Sequence, residues 1–105
     1  MAQFDLYRNP NAESRQWAPY IVDLQHDLLR GLSTRIMAPM IIAEPNDVAA
    51  IQRLNPQVSI DGKDYILSVA EMAAVPIREL AEPVDNLAAH RDAILAAVDL
   101  LFTAV

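Results

Sequence analysis

The sequence predicts a mainly β fold closed by one C-terminal α-helix, its strands forming a small, strongly bent antiparallel sheet or open barrel. Three observations carry that prediction. Short β-branched and aromatic runs, bounded by Pro, Gly, Asn and Asp, recur through residues 3–80. Asp61-Gly62 lies between two such runs and marks a hairpin. After Pro83 the apolar period changes to three- and four-residue steps. Strands come first and one long helix last, so no strand–helix–strand repeat argues for a Rossmann domain.

The elements follow in order. Gln3 to Tyr7 alternates polar and apolar side chains, with Phe4 and Leu6 on one face, and reads as a first strand. Residues 8–16 have no period and read as an exposed loop. Tyr20 to Leu24 forms a second strand, with Pro19 at its edge or start. Gly31 makes residues 28–34 a place to turn, and the adjacent Leu28 and Leu29 cannot both face inward on a regular strand. Arg35 to Ala43 is a third strand, apolar almost throughout and interrupted by Pro39. Residues 44–55 read either as a short helix capped at Pro45-Asn46-Asp47 or as an accessory strand and loop. Val58-Ser59-Ile60 and Tyr65 to Val69 flank the Asp61-Gly62 turn, which Lys63 and Asp64 are able to lengthen. Val75-Pro76-Ile77 and Leu80 resume strand character. Val84, Leu87, Arg91, Ile94, Val98 and Leu101 then predict a helix over about 84–102, with Arg91 the odd member of its apolar stripe.

Composition bounds the function. A chain of 105 residues, 53% of them apolar, suits one domain over residues 1–105, with a modest core that a homodimer extends. The net charge of -6 and the scattered positions of Arg30, Arg35, Arg53 and Arg91 argue against direct duplex binding. An acidic surface fits a basic partner, or solubility alone. With no cysteine there is no disulfide, thiolate nucleophile or cysteine-bound metal. The N-terminal residues show no signal-peptide pattern and no run is long enough to span a membrane, so a cytoplasmic location is expected.

Motifs for chemistry are sparse. His26 and His90 lie far apart without a short-spacing partner, and surface histidines are much commoner than catalytic ones. No HExxH, glycine-rich phosphate loop or EF-hand is present, so neither metal nor cofactor is expected. Asp23 and Asp27 are able to face one cleft but read equally as polar residues near a strand end. The apolar run Leu100-Leu101-Phe102 continues through Thr103-Ala104-Val105, where termini are usually polar. It either pins the helix to the core or a second subunit, or forms an exposed binding edge.

The order and spacing of several segments resemble the CcdB family of toxins. Gln3-Phe4 with Leu6-Tyr7, Glu13-Ser14-Arg15, Val22-Asp23-Leu24-Gln25 followed by Asp27-Leu28-Leu29, and Arg35-Ile36-Met37 with Pro39-Met40 carry the likeness. Met72-Ala73-Ala74-Val75-Pro76 is similar to a distinctive family segment, and Glu82, Val84, Asp85, Leu87, Arg91 and the final helix complete it over nearly the full length. The resemblance implies an SH3-like barrel or bent sheet, shared with the MazF-type endoribonucleases, and a homodimer that performs no chemistry. It implies a toxin of a type II toxin–antitoxin system that binds the A subunit of DNA gyrase and traps the cleaved gyrase–DNA complex. A CcdA-like antitoxin neutralises such toxins, and operator DNA is reached only through the antitoxin complex.

Carried over by position, gyrase contacts fall on Leu28, Leu29, Asp99, Phe102, Thr103, Ala104 and Val105, with Arg30 as a rim charge. Leu95, Val98 and Leu101 are assigned to the dimer interface or core packing. The antitoxin is expected on residues 8–17 and 44–55. The tail departs from the family's Phe-Trp-Gly-Ile pattern at Thr103, Ala104 and Val105, and Asp99 replaces an asparagine. Two other readings stand beside this one: a non-poisoning homologue or decoy that binds antitoxin, and an RNA-cleaving toxin drawing on His26, Arg30 and Arg35.

Overall fold

The computed structural model describes residues 2–29, 31–43 and 53–103. Among these residues seven strands form an antiparallel sheet curled into a half-barrel, and a C-terminal helix completes the fold. The strands are β1 (Asp5–Arg8), β2 (Tyr20–Asp23), β3 (Thr34–Ile42), β4 (Gln57–Ile60), β5 (Lys63–Leu67), β6 (Ala73–Pro76) and β7 (Asp85–Asn86); the helix is α1 (Arg91–Thr103). The spatial order is β4-β5-β3-β2-β1-β7, with β6 also paired to β3.

β3 is the spine. One edge pairs with β2 from Met37 to Met40; the other pairs with β6 over Thr34 to Met37 and with β5 over Met40 to Ile42. Pro39 sits where the second edge passes from β6 to β5. The Ile36 carbonyl accepts from the Leu24 N–H, so even-numbered residues of β3 direct their backbone groups toward β2. Pro39 therefore directs its missing donor toward the gap, and its carbonyl accepts the Ser68 N–H at 3.0 Å. A proline inside a central strand is tolerated because no ladder bond is asked of its nitrogen.

Strand register sorts the side chains onto two faces. Leu6, Val22 and Ala38 lie opposite one another and, with Phe4, Met40, Leu67, Val58 and Val69, pack against Ile94 and Ala97 of α1. On the other face Tyr7 opposes Ile21, and Asp23 opposes Met37. That face is covered too. The connection from β6 on one side of β3 to β7 beside β1 crosses it, and Leu80 packs on the Tyr7–Ile21–Met37 cluster.

Several expectations are corrected. The first strand starts at Asp5 and not Gln3, because Phe4 takes φ 71°, a left-handed conformation, while its N–H donates to the Asp23 carbonyl at 2.7 Å. The hairpin loop is two residues long. Asp61 and Gly62 have φ 52° and 77°, as a type I′ turn requires, and Lys63 already pairs with Ile60. Ile77 belongs to a 3-10 turn, Ile77–Glu79, and Leu80 follows it outside any strand. The α-helix starts at Arg91, not near 84. The Val84 and Leu87 N–H groups donate to the Leu6 and Phe4 carbonyls, which holds residues 84–87 as an extension of the sheet. Arg91 resolves its place in the apolar stripe by lying 5.9 Å from the centre of the Phe4 ring. The alternatives for residues 44–55 fall mainly outside the described residues.

Tyr7 is buried in the covered face with a hydroxyl that finds no hydrogen-bond partner among the described residues. Burial, and then the negative charges of Asp5 and Asp23, push its pKa from about 10 up to about 12. The fold therefore favours the neutral phenol: this contribution is complete below pH 10 and is lost as pH rises through 12. Tyr7→Phe removes both the unpaired hydroxyl and the titration. Urea unfolding should show the variant at least as stable as the parent at pH 8, with the difference growing in its favour by about 1 kcal/mol at pH 11.

Candidate functional site

Beyond β2 the chain leaves the sheet, turns through the 3-10 segment Asp27–Leu29, and returns at Thr34. Three leucines project from this loop: Leu28 is 87% exposed, Leu29 51% and Leu32 52%. Exposed leucines scattered singly are ordinary, whereas three within five residues form an apolar patch. A further exposed apolar side chain, Phe102 at 70%, stands in the last turn of α1.

The neck of the loop is polar and buried. Asp23 and Gln25 are buried, while Asp27, the first residue of the 3-10 segment, is about half exposed; the Asp23 and Asp27 carboxylates and the Gln25 backbone carbonyl all stand near Arg35. The Arg35 Nε and Nη2 each stand 2.8 Å from Asp23 Oδ2. Nη2 also donates to the Gln25 carbonyl at 2.9 Å and stands 3.7 Å from Asp27 Oδ1. The other Asp23 oxygen accepts the Gln25 N–H at 2.9 Å. Neither Arg35 nor Asp23 has any exposed surface. Burial pushes the Asp23 carboxyl above its ordinary value, opposed by its hydrogen bonds from Arg35 and Gln25.

The expected contact residues come from two elements. Leu28 and Leu29 stand exposed on the loop; Asp99, Phe102 and Thr103 are exposed on the last turns of α1. The Thr103 hydroxyl donates to the Asp99 carbonyl at 2.7 Å, so its polar group is bonded within the helix. Ala104, Val105 and Arg30 lie outside the described residues. Leu95, Val98 and Leu101 are partly buried and pack against the main core, each keeping some exposed surface. The sequence sets Asp23 and Asp27 where they are able to face one cleft; what it does not supply is Arg35 as their common partner, a charge inside an otherwise apolar strand.

The loop of residues 8–17 is also ordered by polar bonds. Asn9 is buried; its amide nitrogen donates to the Ala18 carbonyl at 2.8 Å and to Ser14 Oγ at 2.9 Å, and its amide oxygen accepts the Asn11 N–H at 3.0 Å. Arg15 Nε donates to the Asn9 carbonyl at 2.8 Å. Half-exposed Trp17 stands at the end of this frame.

The residues considered for chemistry are occupied otherwise. His26 Nδ1 accepts the Leu28 N–H at 3.1 Å on the exposed loop. Arg35, which the RNA-cleaving reading needs at a surface groove, is enclosed and ion-paired. Among the described residues no three acidic or histidine side chains group closely enough to hold a metal ion, and no helix is long and apolar enough to cross a membrane.

Fold and site together define a small half-barrel protein with apolar side chains exposed on a β2–β3 loop and at the end of its helix. A family model described as CcdB protein matches residues 3–104, and the chain belongs to the CcdB family. Membership supports the general role of a toxin, and proteins of this family are not enzymes. No curated protein matches the chain.

Because Asp23 is buried with Arg35 as its counter-ion, removing the arginine strands a carboxylate in the interior. Arg35→Leu should lower unfolding free energy by about 3–5 kcal/mol in urea titration, and Asp23→Leu added to it should recover part of that loss.

Proposed function

We propose that this protein is the toxin of a type II toxin–antitoxin pair, binding the A subunit of DNA gyrase and trapping the cleaved gyrase–DNA complex. The observation that carries the reading is the exposure of Leu28, Leu29 and Phe102. These are the apolar positions where the family resemblance puts gyrase contacts, and the fold leaves them uncovered. Exposed apolar side chains beside a polar fringe, here His26, Asp99 and Thr103, have the anatomy of a binding hot spot. The toxin acts by differential binding: it favours the cleaved state of its target and lowers no chemical barrier itself.

The acting species in this proposal is a cytoplasmic homodimer, with Leu95, Val98 and Leu101 at or beside the subunit contact. A CcdA-like antitoxin binds the loop of residues 8–17, whose hydrogen-bonded frame presents Trp17, and the complex of the two reaches operator DNA. One observation favours the second reading, a homologue that binds antitoxin without poisoning gyrase. Thr103 stands where the family's usual tail carries tryptophan, and its hydroxyl is already bonded to the Asp99 carbonyl. That position offers a partner little more than a methyl group.

The test combines purified protein with gyrase of the native host, DNA and ATP, and measures linear DNA covalently bound to gyrase. The wild type should accumulate it. Leu28→Asp and Phe102→Asp should each lower the yield at least tenfold, on the order of 1.4 kcal/mol of lost binding, with the unfolding temperature unchanged. No linear DNA from a folded dimer rejects poisoning and leaves the antitoxin-binding homologue as the reading.

A further inference from the structure

Leu28 at the tip of the loop is almost fully exposed and Leu29 and Leu32 about half, so burial anchors the tip only weakly. Fixing backbone costs conformational entropy, so another interaction must help to define the loop's shape. That interaction is at the neck, and one side chain spans it. Gln25 is buried. Its amide oxygen accepts the Ile36 N–H at 3.2 Å, and its amide nitrogen donates to the Leu29 carbonyl at 3.2 Å and the Thr34 carbonyl at 3.4 Å. One amide thus ties the outgoing arm, the tip and the returning arm. Arg35 fixes the amide's own backbone through the Gln25 carbonyl, and Asp27 Oδ1 anchors the outgoing arm to the Gln3 N–H at 2.7 Å. Within the loop the Leu29 N–H donates to the His26 carbonyl and the Leu32 N–H to the Leu29 carbonyl. Shortening the neck with bonds made before a partner arrives removes part of the ordering cost from the binding step.

We propose that Gln25 is a positioning residue for gyrase capture: its amide, backed by Arg35, closes the neck of the loop and pre-organises Leu28 and Leu29 in their binding conformation. This rests on the reading of those leucines as gyrase contacts. Gln25 itself touches no partner. Its role is separated from core stability by measuring a strand amide remote from the loop beside the loop amides.

The informative variants are Gln25→Met, which keeps the length and removes every amide bond, and Gln25→Glu, which keeps the acceptor for Ile36 and removes both donors. Two readouts are taken on the full chain: amide hydrogen exchange at Leu29 and Leu32 against the strand amide of Leu67, and affinity for the isolated gyrase A subunit. In both variants exchange at Leu29 and Leu32 should rise at least tenfold, Leu67 should stay unchanged, and affinity should fall about tenfold. A folded variant with unchanged loop exchange overturns the clamp. Faster loop exchange with unchanged gyrase affinity overturns its role in capture. Should Gln25→Met fail to fold, Gln25→Glu decides on the same criteria. If the wild-type chain does not bind gyrase A, the functional reading and the capture role fall together, while the exchange pattern still judges whether Gln25 holds the loop.

Discussion

Arg35 and Asp23 form a charge pair with no exposed surface, and much of the rest of the structure is arranged around it. Withdrawing two ions from water costs several kcal/mol each, and the attraction between them offsets that cost only with good geometry and satisfied neighbours. The surroundings meet most of that demand. Both Asp23 oxygens accept hydrogen bonds, and Arg35 Nη2 also serves the Gln25 carbonyl; Arg35 Nη1 alone finds no partner among the described residues. The pair joins the last residue of β2 to the second residue of β3. The same part of β3 that carries Arg35 also receives β6, with Val75 directly opposite. One ion pair thereby sets the end of one strand, the start of another and the neck of the loop between them.

The proposed contact surface is a consequence of that arrangement. An apolar loop tip needs support that does not bury the apolar groups it displays. Hydrogen bonds at the neck supply it, since they fix backbone while leaving the leucines in solvent. The end of α1 solves the same problem differently: Ile94 and Ala97 bury the helix against the sheet, and Phe102 is carried beyond the buried stripe. Family membership and this division between buried support and exposed apolar tips point the same way, toward a protein that works by contact.

Much of this was legible in residue order. Asp61-Gly62 dictated its turn because few other pairs accept two positive φ values. Phe4 and Leu6 do share one core, and Ile94, Val98 and Leu101 do lie along one side of a helix facing it. The misreadings have a common cause. Val84 and Leu87 fit the helical period by spacing, yet their backbone donors are taken by the Leu6 and Phe4 carbonyls at the far end of the chain. Leu80 resembled a strand residue because it is apolar, and it is apolar because it covers Tyr7, Ile21 and Met37. Local pattern reports that a side chain will be buried, not what will bury it.

The sequence by itself determined the class of fold, the position of the hairpin and the existence of the terminal helix. Those features depend on φ preferences and on period, which act within a few residues. Tertiary structure alone decided where α1 begins, that Pro39 falls at the gap between β6 and β5, and that Asp23, Gln25, Asp27 and Arg35 close one loop. Each of these depends on which backbone groups and charges from distant segments are left to satisfy one another once water is excluded, and that pairing is set only when the sheet has closed.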